Sequence, residues 1–199
     1  MTPNKLAKES EHSQQVALFA YVAVARIYGF DIADEWCKTG KLPKYDVSPE
    51  GLPRDMQDDE IERFGRVVTW SKAVPALEWF HAIPNGGSRG DDEKSRKIRG
   101  GQMKAEGVRQ GVADTFLPWP VYEQSPTDSQ QMVVKWCGLY IEMKKPSLRP
   151  KSETAKGGAS DEQIAFGQYA QRVGYGWAVC YDWEQAVCYL RSYIEWGQK

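Results

Sequence analysis

Two side chains near the end of one short apolar segment, Glu142 and Lys144, have residue types and a spacing that suit a hydrolytic site. The segment, residues 138–145, is predicted to be a β-strand, in which successive side chains point to opposite faces. Glu142 and Lys144 therefore point the same way. In a metal-dependent hydrolase, the carboxylate holds a cation and the ammonium group lies beside the attacking water. The same pair is equally typical of a solvated salt pair on an edge strand, so alone it favours a nuclease only weakly.

A second acidic residue, Asp114, lies where another strand is predicted to begin. Gly107 and Gly111 predict a turn within residues 107–117, and a short strand is predicted to follow it. If the two strands are neighbours, Asp114 and Glu142 lie at one end of a sheet and share a divalent cation. Ligands that are all oxygen atoms suit Mg²⁺ or Mn²⁺. Asp92 and Lys94 have the same spacing, but they lie in a charged run that is predicted to begin a helix.

Four sequence blocks extend this pattern along the chain, and their order and spacing resemble a known family. The blocks are residues 81–89, 107–114, 139–144 and 160–163, the last followed by Gly174 and Tyr175. With Asp114, Glu142 and Lys144 among them, they resemble the VRR-Nuc family. This virus-type replication-repair nuclease domain belongs to the PD-(D/E)XK nuclease superfamily. The resemblance covers residues 9–28 and 75–196, most of the chain.

The resemblance implies a fold and an activity. It implies an α/β, restriction-endonuclease-like PD-(D/E)XK core of order αβββαβ with insertions, and a metal-dependent DNA endonuclease. Standalone members look like Holliday-junction resolvases that act as homodimers, which implies branched DNA as the substrate. Two alternatives remain open: a catalytically silent branched-DNA-binding module, and a flap, single-strand or restriction-type nuclease on the same fold.

The resemblance also implies a set of site residues. One or two Mg²⁺ or Mn²⁺ ions are expected on Asp114, Glu142 and the backbone carbonyl of Met143, with Glu11 reaching a second metal position. Lys144 is expected to orient the attacking water or to stabilise the developing negative charge. For Glu11 the ordinary alternative is a favourable interaction with the helix dipole, worth about 0.3–1 kcal/mol.

Gln163 has two explanations that the sequence does not separate. In the resembling family a glutamine at this point helps to line the catalytic site. Ser160 and Gln163 also have the spacing of a capping box, in which the glutamine side chain accepts from the N-cap amide.

Candidate DNA contacts surround these residues. Asn85 and Arg89 lie in a glycine-rich segment that is predicted to be a turn. Asn and Gly are common in turns for conformational reasons alone, but the segment can also be a loop in which Arg89 binds a phosphate through two hydrogen bonds. Lys104, Arg109 and Lys145 are further candidates for contacts to the phosphate backbone.

Charge along the chain is uneven although the net charge is −1. Residues 84–111 contain seven basic and four acidic residues, and residues 135–156 contain six basic and two acidic ones. Residues 46–62 contain seven acidic residues and one basic residue. Basic segments on either side of the candidate site can steer a phosphate backbone toward it. Such runs are more often simply a solvated surface, so they support this interpretation without establishing it.

Composition excludes several other classes. Four cysteines without CxxC spacing and two distant histidines argue against a zinc site. There is no signal peptide and no apolar run near twenty residues, so we expect a protein that spans no membrane. The expected location is the cytoplasm of a bacterial or phage-infected cell, with reduced thiols.

The 199 residues are predicted to form one domain, with an irregular inserted segment at residues 31–70 and an extended loop or hairpin at residues 118–136. A first helix is predicted from an N-cap at Ser10 to Tyr28. The remaining predicted elements are strand 77–83, helix 92–106, strands 113–117 and 137–144, helix 160–173, strand 176–181 and helix 183–195.

Overall fold

A computed structural model of the protein describes residues 1–42, 74–84, 93–128, 130–152 and 157–196. The chain divides into two compact units, residues 1–79 and residues 80–199. The organisation as a single domain stays a prediction. Within the described ranges, no helix combines the length and the apolarity needed to cross a membrane.

The first unit is helical where it is described. Its helices are α1 (Pro3–Leu6), α2 (Glu11–Tyr28) and α3 (Phe30–Thr39), and a 3-10 turn follows at Pro75–Leu77. The predicted N-cap of α2 is confirmed, because the Ser10 hydroxyl accepts from the Ser13 amide at 3.1 Å. The helix ends at Tyr28, as predicted, where Gly29 has a φ of 89°.

Helix α3 corrects the sequence analysis, which assigned residues 31–39 to an irregular segment. The helix buries Ala33 and Trp36, which are three residues apart and therefore share a face. Gly40, in the left-handed conformation, ends the helix. The Asp34 carboxylate accepts from the Tyr21 hydroxyl of α2 at 2.6 Å. The sequence also predicts a short helix near residues 58–67, which lie outside the described residues.

The second unit combines two sheets with three helices in its described part. Four strands form a mixed sheet in the order β1-β2-β5-β6, and β3 and β4 form a separate antiparallel hairpin. Neighbouring pairs in the four-stranded sheet are antiparallel except β5 and β6, which are parallel. The elements are β1 (His81–Ala82), α4 (Glu93–Ala105), β2 (Thr115–Leu117), β3 (Val121–Gln124), β4 (Met132–Trp136), β5 (Leu139–Met143), α5 (Asp161–Arg172), β6 (Gly176–Cys180) and α6 (Trp183–Trp196).

The prediction of a first core strand at residues 77–83 is wrong for most of these residues. Only His81 and Ala82 form a strand, and Pro75–Leu77 is a 3-10 turn. Proline lacks an amide hydrogen and fixes φ, so Pro75 favours a turn at this point. The Leu77 amide donates to the Val74 carbonyl at 3.0 Å instead of to a neighbouring strand. The later predicted helices and strands are confirmed to within two residues at each end.

Helices α5 and α6 cover opposite faces of the β5–β6 region. Gly167 of α5 lies against the Trp177 ring on one face, since a Cβ atom there would lie 2.2 Å from the ring. Tyr193 of α6 lies near Gly176 on the other face, next to Leu139. Side chains alternate along β5, so Leu139, Ile141 and Met143 are buried on the α6 side. Tyr140, Glu142 and Lys144 therefore face the α5 side.

Two helical glycines offer a matched test of the α5 packing. We expect Gly167→Ala to destabilise the protein by about 1–3 kcal/mol, because the new methyl group overlaps the Trp177 ring. Gly100→Ala in α4 has nothing within 4 Å of its new Cβ atom and should stabilise its helix by up to about 1 kcal/mol. Urea denaturation of both variants measures the difference. Equal free energies of unfolding for the two would contradict this packing.

The buried thiol of Cys180 predicts a pH dependence of stability. Burial raises its pKa from 9.0 to about 12, and the negative charge of Asp182 acts in the same direction. Above pH 9.0 the unfolded chain ionises this thiol while the folded chain keeps the proton, so stability falls as the pH rises toward about 12. The free energy of unfolding of wild type should fall by about 1 kcal/mol per pH unit more than that of Cys180→Ala in this range. A slope in Cys180→Ala equal to that of wild type would contradict the burial of this thiol.

Candidate active site

The register of β2 and β5 brings Asp114 and Glu142 to the same end of the sheet. Thr115 pairs with Ile141 in the antiparallel ladder, so one step further along Asp114 falls opposite Glu142. The Asp114 carboxylate accepts from the Met143 amide through Oδ2 at 2.8 Å. This bond holds the side chain of Asp114 against the end of β5, beside the residue that carries the second carboxylate.

Glu142 and Lys144 form a buried ion pair. Lys144 Nζ lies 2.8 Å from Glu142 Oε1, and the side chains of the lysine and the glutamate are only 8% and 1% exposed. Strand β5 lies between β2 and β6, so it is a central strand. A solvated salt pair on an edge strand, which the sequence alone left open, is therefore excluded.

Burial of this pair calls for an explanation other than stability. Removing two charges from water costs several kcal/mol per ion, and apolar residues of similar volume often stabilise a protein as well or better. Buried ionisable groups that face one another are typical of functional sites. The ion pair therefore marks this end of β5 as the candidate active site.

Gln163 contacts the ion pair and caps its own helix at the same time. Its Nε2 donates to Glu142 Oε1 in a short hydrogen bond. Its Oε1 accepts from the Ser160 amide at 2.8 Å, and the Ser160 hydroxyl accepts from the Gln163 amide at 3.3 Å. The capping box is therefore confirmed, and the other end of the same amide contacts Glu142, whereas a role of Gln163 at a catalytic site stays a prediction.

Tyr181 belongs to the surroundings of Lys144 and was missed by the sequence analysis. The Lys144 amide donates to the Cys180 carbonyl at 2.8 Å, which places Tyr181 just past the end of the paired strands. Burial raises the pKa of the Tyr181 hydroxyl, and the positive charges of Lys144 and Arg149 oppose that shift. Only the parallel alignment of β5 with β6 could have revealed this neighbour.

The donor set fits a hard divalent cation. Asp114 and Glu142 contribute carboxylates, and the backbone carbonyl of Met143 directly follows Glu142 in the chain. Such oxygen ligands suit Mg²⁺ or Mn²⁺, which retain several water ligands. In the part of the chain that the structure describes, no group of three or more His, Cys, Asp and Glu side chains is suited to a metal ion. Glu11 lies in the first turn of α2, in the first unit, and its role as a ligand stays a prediction.

Three of the predicted DNA contacts lie at exposed positions of the described residues, and two lie outside the described residues. Lys104, near the end of α4, is exposed, as are Arg109 in the turn before Asp114 and Lys145 after β5. Their roles stay predictions. Asn85 and Arg89 lie outside the described residues.

Comparisons with known proteins include a similarity to a solved structure. No protein-family model matches the chain, and no curated protein matches it. A solved structure described as a VRR_NUC domain protein is similar over 73% of this chain and 93% of its own, with a TM-score of 0.40 and 19% sequence identity.

The buried ion pair predicts a large and asymmetric effect on stability. We expect Lys144→Met to cost about 3 kcal/mol or more, because the Glu142 carboxylate then stays buried without its ammonium partner. The double variant Lys144→Met, Glu142→Gln should recover much of that loss, since it leaves no buried charge. Urea denaturation in EDTA measures both.

The ion pair of the hairpin provides the control. Lys135 and Glu123 lie 2.6 Å apart with side chains that are 24% and 41% exposed. Lys135→Met should cost less, about 1–2 kcal/mol, because a partly solvated pair contributes little and the contact of Lys135 Nζ with the Trp196 ring adds about 0.5–1 kcal/mol. Equal losses for Lys144→Met and Lys135→Met would contradict the burial of the Lys144 pair.

Proposed function

We propose that the protein is a metal-dependent DNA endonuclease of the VRR-Nuc type, with a PD-(D/E)XK core. The observation that carries the proposal is the arrangement at the end of β5. Two carboxylates on neighbouring strands lie beside a buried lysine, and a glutamine from α5 contacts the same carboxylate oxygen as that lysine. The proposal also takes support from the four sequence blocks and the basic segments that flank the site.

In this mechanism Asp114, Glu142 and the Met143 carbonyl would hold the cation. When bound there, Mg²⁺ or Mn²⁺ would lower the pKa of water and neutralise charge on the phosphate. The bond from the Met143 amide keeps the Asp114 carboxylate turned toward β5, and the two donors on Glu142 Oε1 orient its carboxylate. Both carboxylates are thus positioned before the substrate arrives, which reduces reorganisation during the reaction.

Lys144 supplies positive charge next to the scissile phosphate. The Lys144 side chain is almost fully buried, so little water screens the electric field of its ammonium group. That field therefore acts strongly on nearby phosphate and water oxygens. An ammonium group that Glu142 holds in place can orient the attacking water and stabilise the charge that develops on the phosphate. Glu11 is proposed as the ligand of a second ion.

The finer part of the proposal concerns the substrate and the assembly. We propose branched DNA, cut by a homodimer with two sites, on the basis of the sequence resemblance. Contacts to the phosphate backbone are proposed for Lys104, Arg109 and Lys145, and for Asn85 and Arg89.

Cleavage of labelled DNA tests the proposal directly. The substrates are duplex, flap and four-way-junction DNA, each with Mg²⁺, Mn²⁺ or EDTA. We expect metal-dependent cutting by wild type and a loss of about 100-fold or more in Asp114→Asn, Glu142→Gln and Lys144→Met, because each removes a group that acts on the reacting phosphate. Glu123→Gln, which breaks the ion pair of the hairpin, is the control and should cut like wild type.

The outcomes distinguish the alternatives. Paired, symmetric nicks in the junction alone support the resolvase, whereas cutting of flaps or linear DNA indicates another nuclease on the same fold. Tight binding of the junction without cutting by any protein favours a silent binding module. If the three site variants cut like wild type after contaminating nucleases are removed, the proposed mechanism is wrong.

A further inference from the structure

The amide of Gln163 has two chemically different ends, and a neighbouring backbone group decides which end meets Glu142. The Ser160 amide donates to Oε1, so the oxygen of the Gln163 side chain is held at the N-cap of α5. The amino group must then face the carboxylate, where Nε2 donates to Oε1 of Glu142. In the flipped orientation, two donors would meet at the cap and two acceptors would meet at the carboxylate.

The same helical turn also supports the segment that carries the other carboxylate. Gly111 lies three residues before Asp114 and has a φ of 87°. A Cβ atom at this position would lie 2.8 Å from the carbonyl carbon and the Cβ of Glu162, and 2.9 Å from the carbonyl oxygen. Only glycine permits this approach, so the turn before Asp114 rests directly on the backbone of α5.

We propose that the first turn of α5 is the common support that sets the positions of both carboxylates, with Ser160 and Gly111 as positioning residues. Ser160 acts on Glu142 through Gln163, and Gly111 acts on Asp114 through the turn that connects them. This inference rests on the proposed function for its metal. Partners that orient metal ligands commonly change metal affinity by about 10- to 100-fold when they are lost.

Two glycines with the same backbone conformation separate positioning from strain. Gly107 has a φ of 90°, close to that of Gly111, but a Cβ atom there would have nothing within 4 Å. Alanine at either position therefore carries a similar backbone strain. Alanine at position 111 alone also pushes against Glu162.

The first test measures Mn²⁺ binding by electron paramagnetic resonance, with thermal unfolding of each protein recorded in EDTA. We expect the Kd for Mn²⁺ to rise about tenfold or more in Gly111→Ala and to stay within about twofold of wild type in Gly107→Ala. Similar Kd values for the two variants would overturn the role of Gly111, whatever their melting temperatures.

The second test uses the backbone amide of Ser160. Ser160 has a φ of −73°, which proline also adopts, so Ser160→Pro removes the amide hydrogen with little change of φ. Ser160→Ala removes the hydroxyl cap but keeps the amide that holds Gln163. We expect a rise of about tenfold in the Kd for Mn²⁺ with proline and a change within about twofold with alanine. Equal Kd values for these two variants would overturn the role of the Ser160 amide.

A readout without metal keeps this inference separate from the proposed function. In EDTA, the side-chain amide resonances of Gln163 in ¹H–¹⁵N NMR spectra should shift in Ser160→Pro and in Glu142→Gln, and stay close to wild type in Ser160→Ala. If wild type binds no Mn²⁺ while these shifts occur, the proposed function fails and the coupling of Ser160 to Glu142 through Gln163 stands. If the resonances are the same in all four proteins, the coupling is wrong. If Ser160→Pro does not fold, the scalar coupling across the hydrogen bond from the Ser160 amide nitrogen to Gln163 Cδ in wild type decides, and its absence would overturn the role of Ser160.

Discussion

A buried ion pair between Glu142 and Lys144 constrains the packing of the second unit, because neither charge can stay buried without the other. Two charges on a central strand are costly to remove from water, and their mutual attraction offsets this only when other groups complete their hydrogen bonding. The Glu142 oxygen that faces the lysine also accepts from Gln163, which belongs to a helix on the same face of the sheet. The helix, the strand and the charges therefore have to assemble together.

The pleat of the sheet determines which residues surround the pair. Tyr140, Glu142 and Lys144 share one face of β5, and Phe116 of β2 stacks on Tyr140 with ring centroids 4.4 Å apart. A slip of one residue in the register would turn Glu142 and Lys144 toward the apolar α6 side and Ile141 toward the α5 side. The aromatic stacking thus stabilises the register on which the meeting of Asp114 with Glu142 depends.

The first turn of α5 contributes both to the stability of the helix and to the geometry of the candidate site. Its N-cap hydrogen bonds satisfy amides that every helix end exposes, so they would be useful in any protein. Here one of those bonds also orients an amide toward a carboxylate, and the helix backbone supports the turn that precedes Asp114. A local helix-capping device has thereby become part of the geometry of the site.

The sequence by itself determined the features that depend on neighbours in the chain. Alternation along a strand predicted that Glu142 and Lys144 share a face, and capping chemistry predicted the starts of α2 at Ser10 and of α5 at Ser160. Two predictions failed for different reasons. Helix α3 is stabilised by the burial of Trp36, which depends on packing, whereas the first strand is shorter than predicted because Pro75 favours a turn locally.

Tertiary structure alone decided the environment of the site. Whether β5 is central or at an edge depends on which strands pair, and that pairing joins residues that are more than twenty positions apart in the chain. The same long-range pairing brings Tyr181 near Lys144 and gives Gln163 a carboxylate to contact. Residue types and short spacings thus determined which groups are available for chemistry. The folded sheet decided that these groups are buried and in contact with one another, because both burial and contact depend on how all the elements pack together.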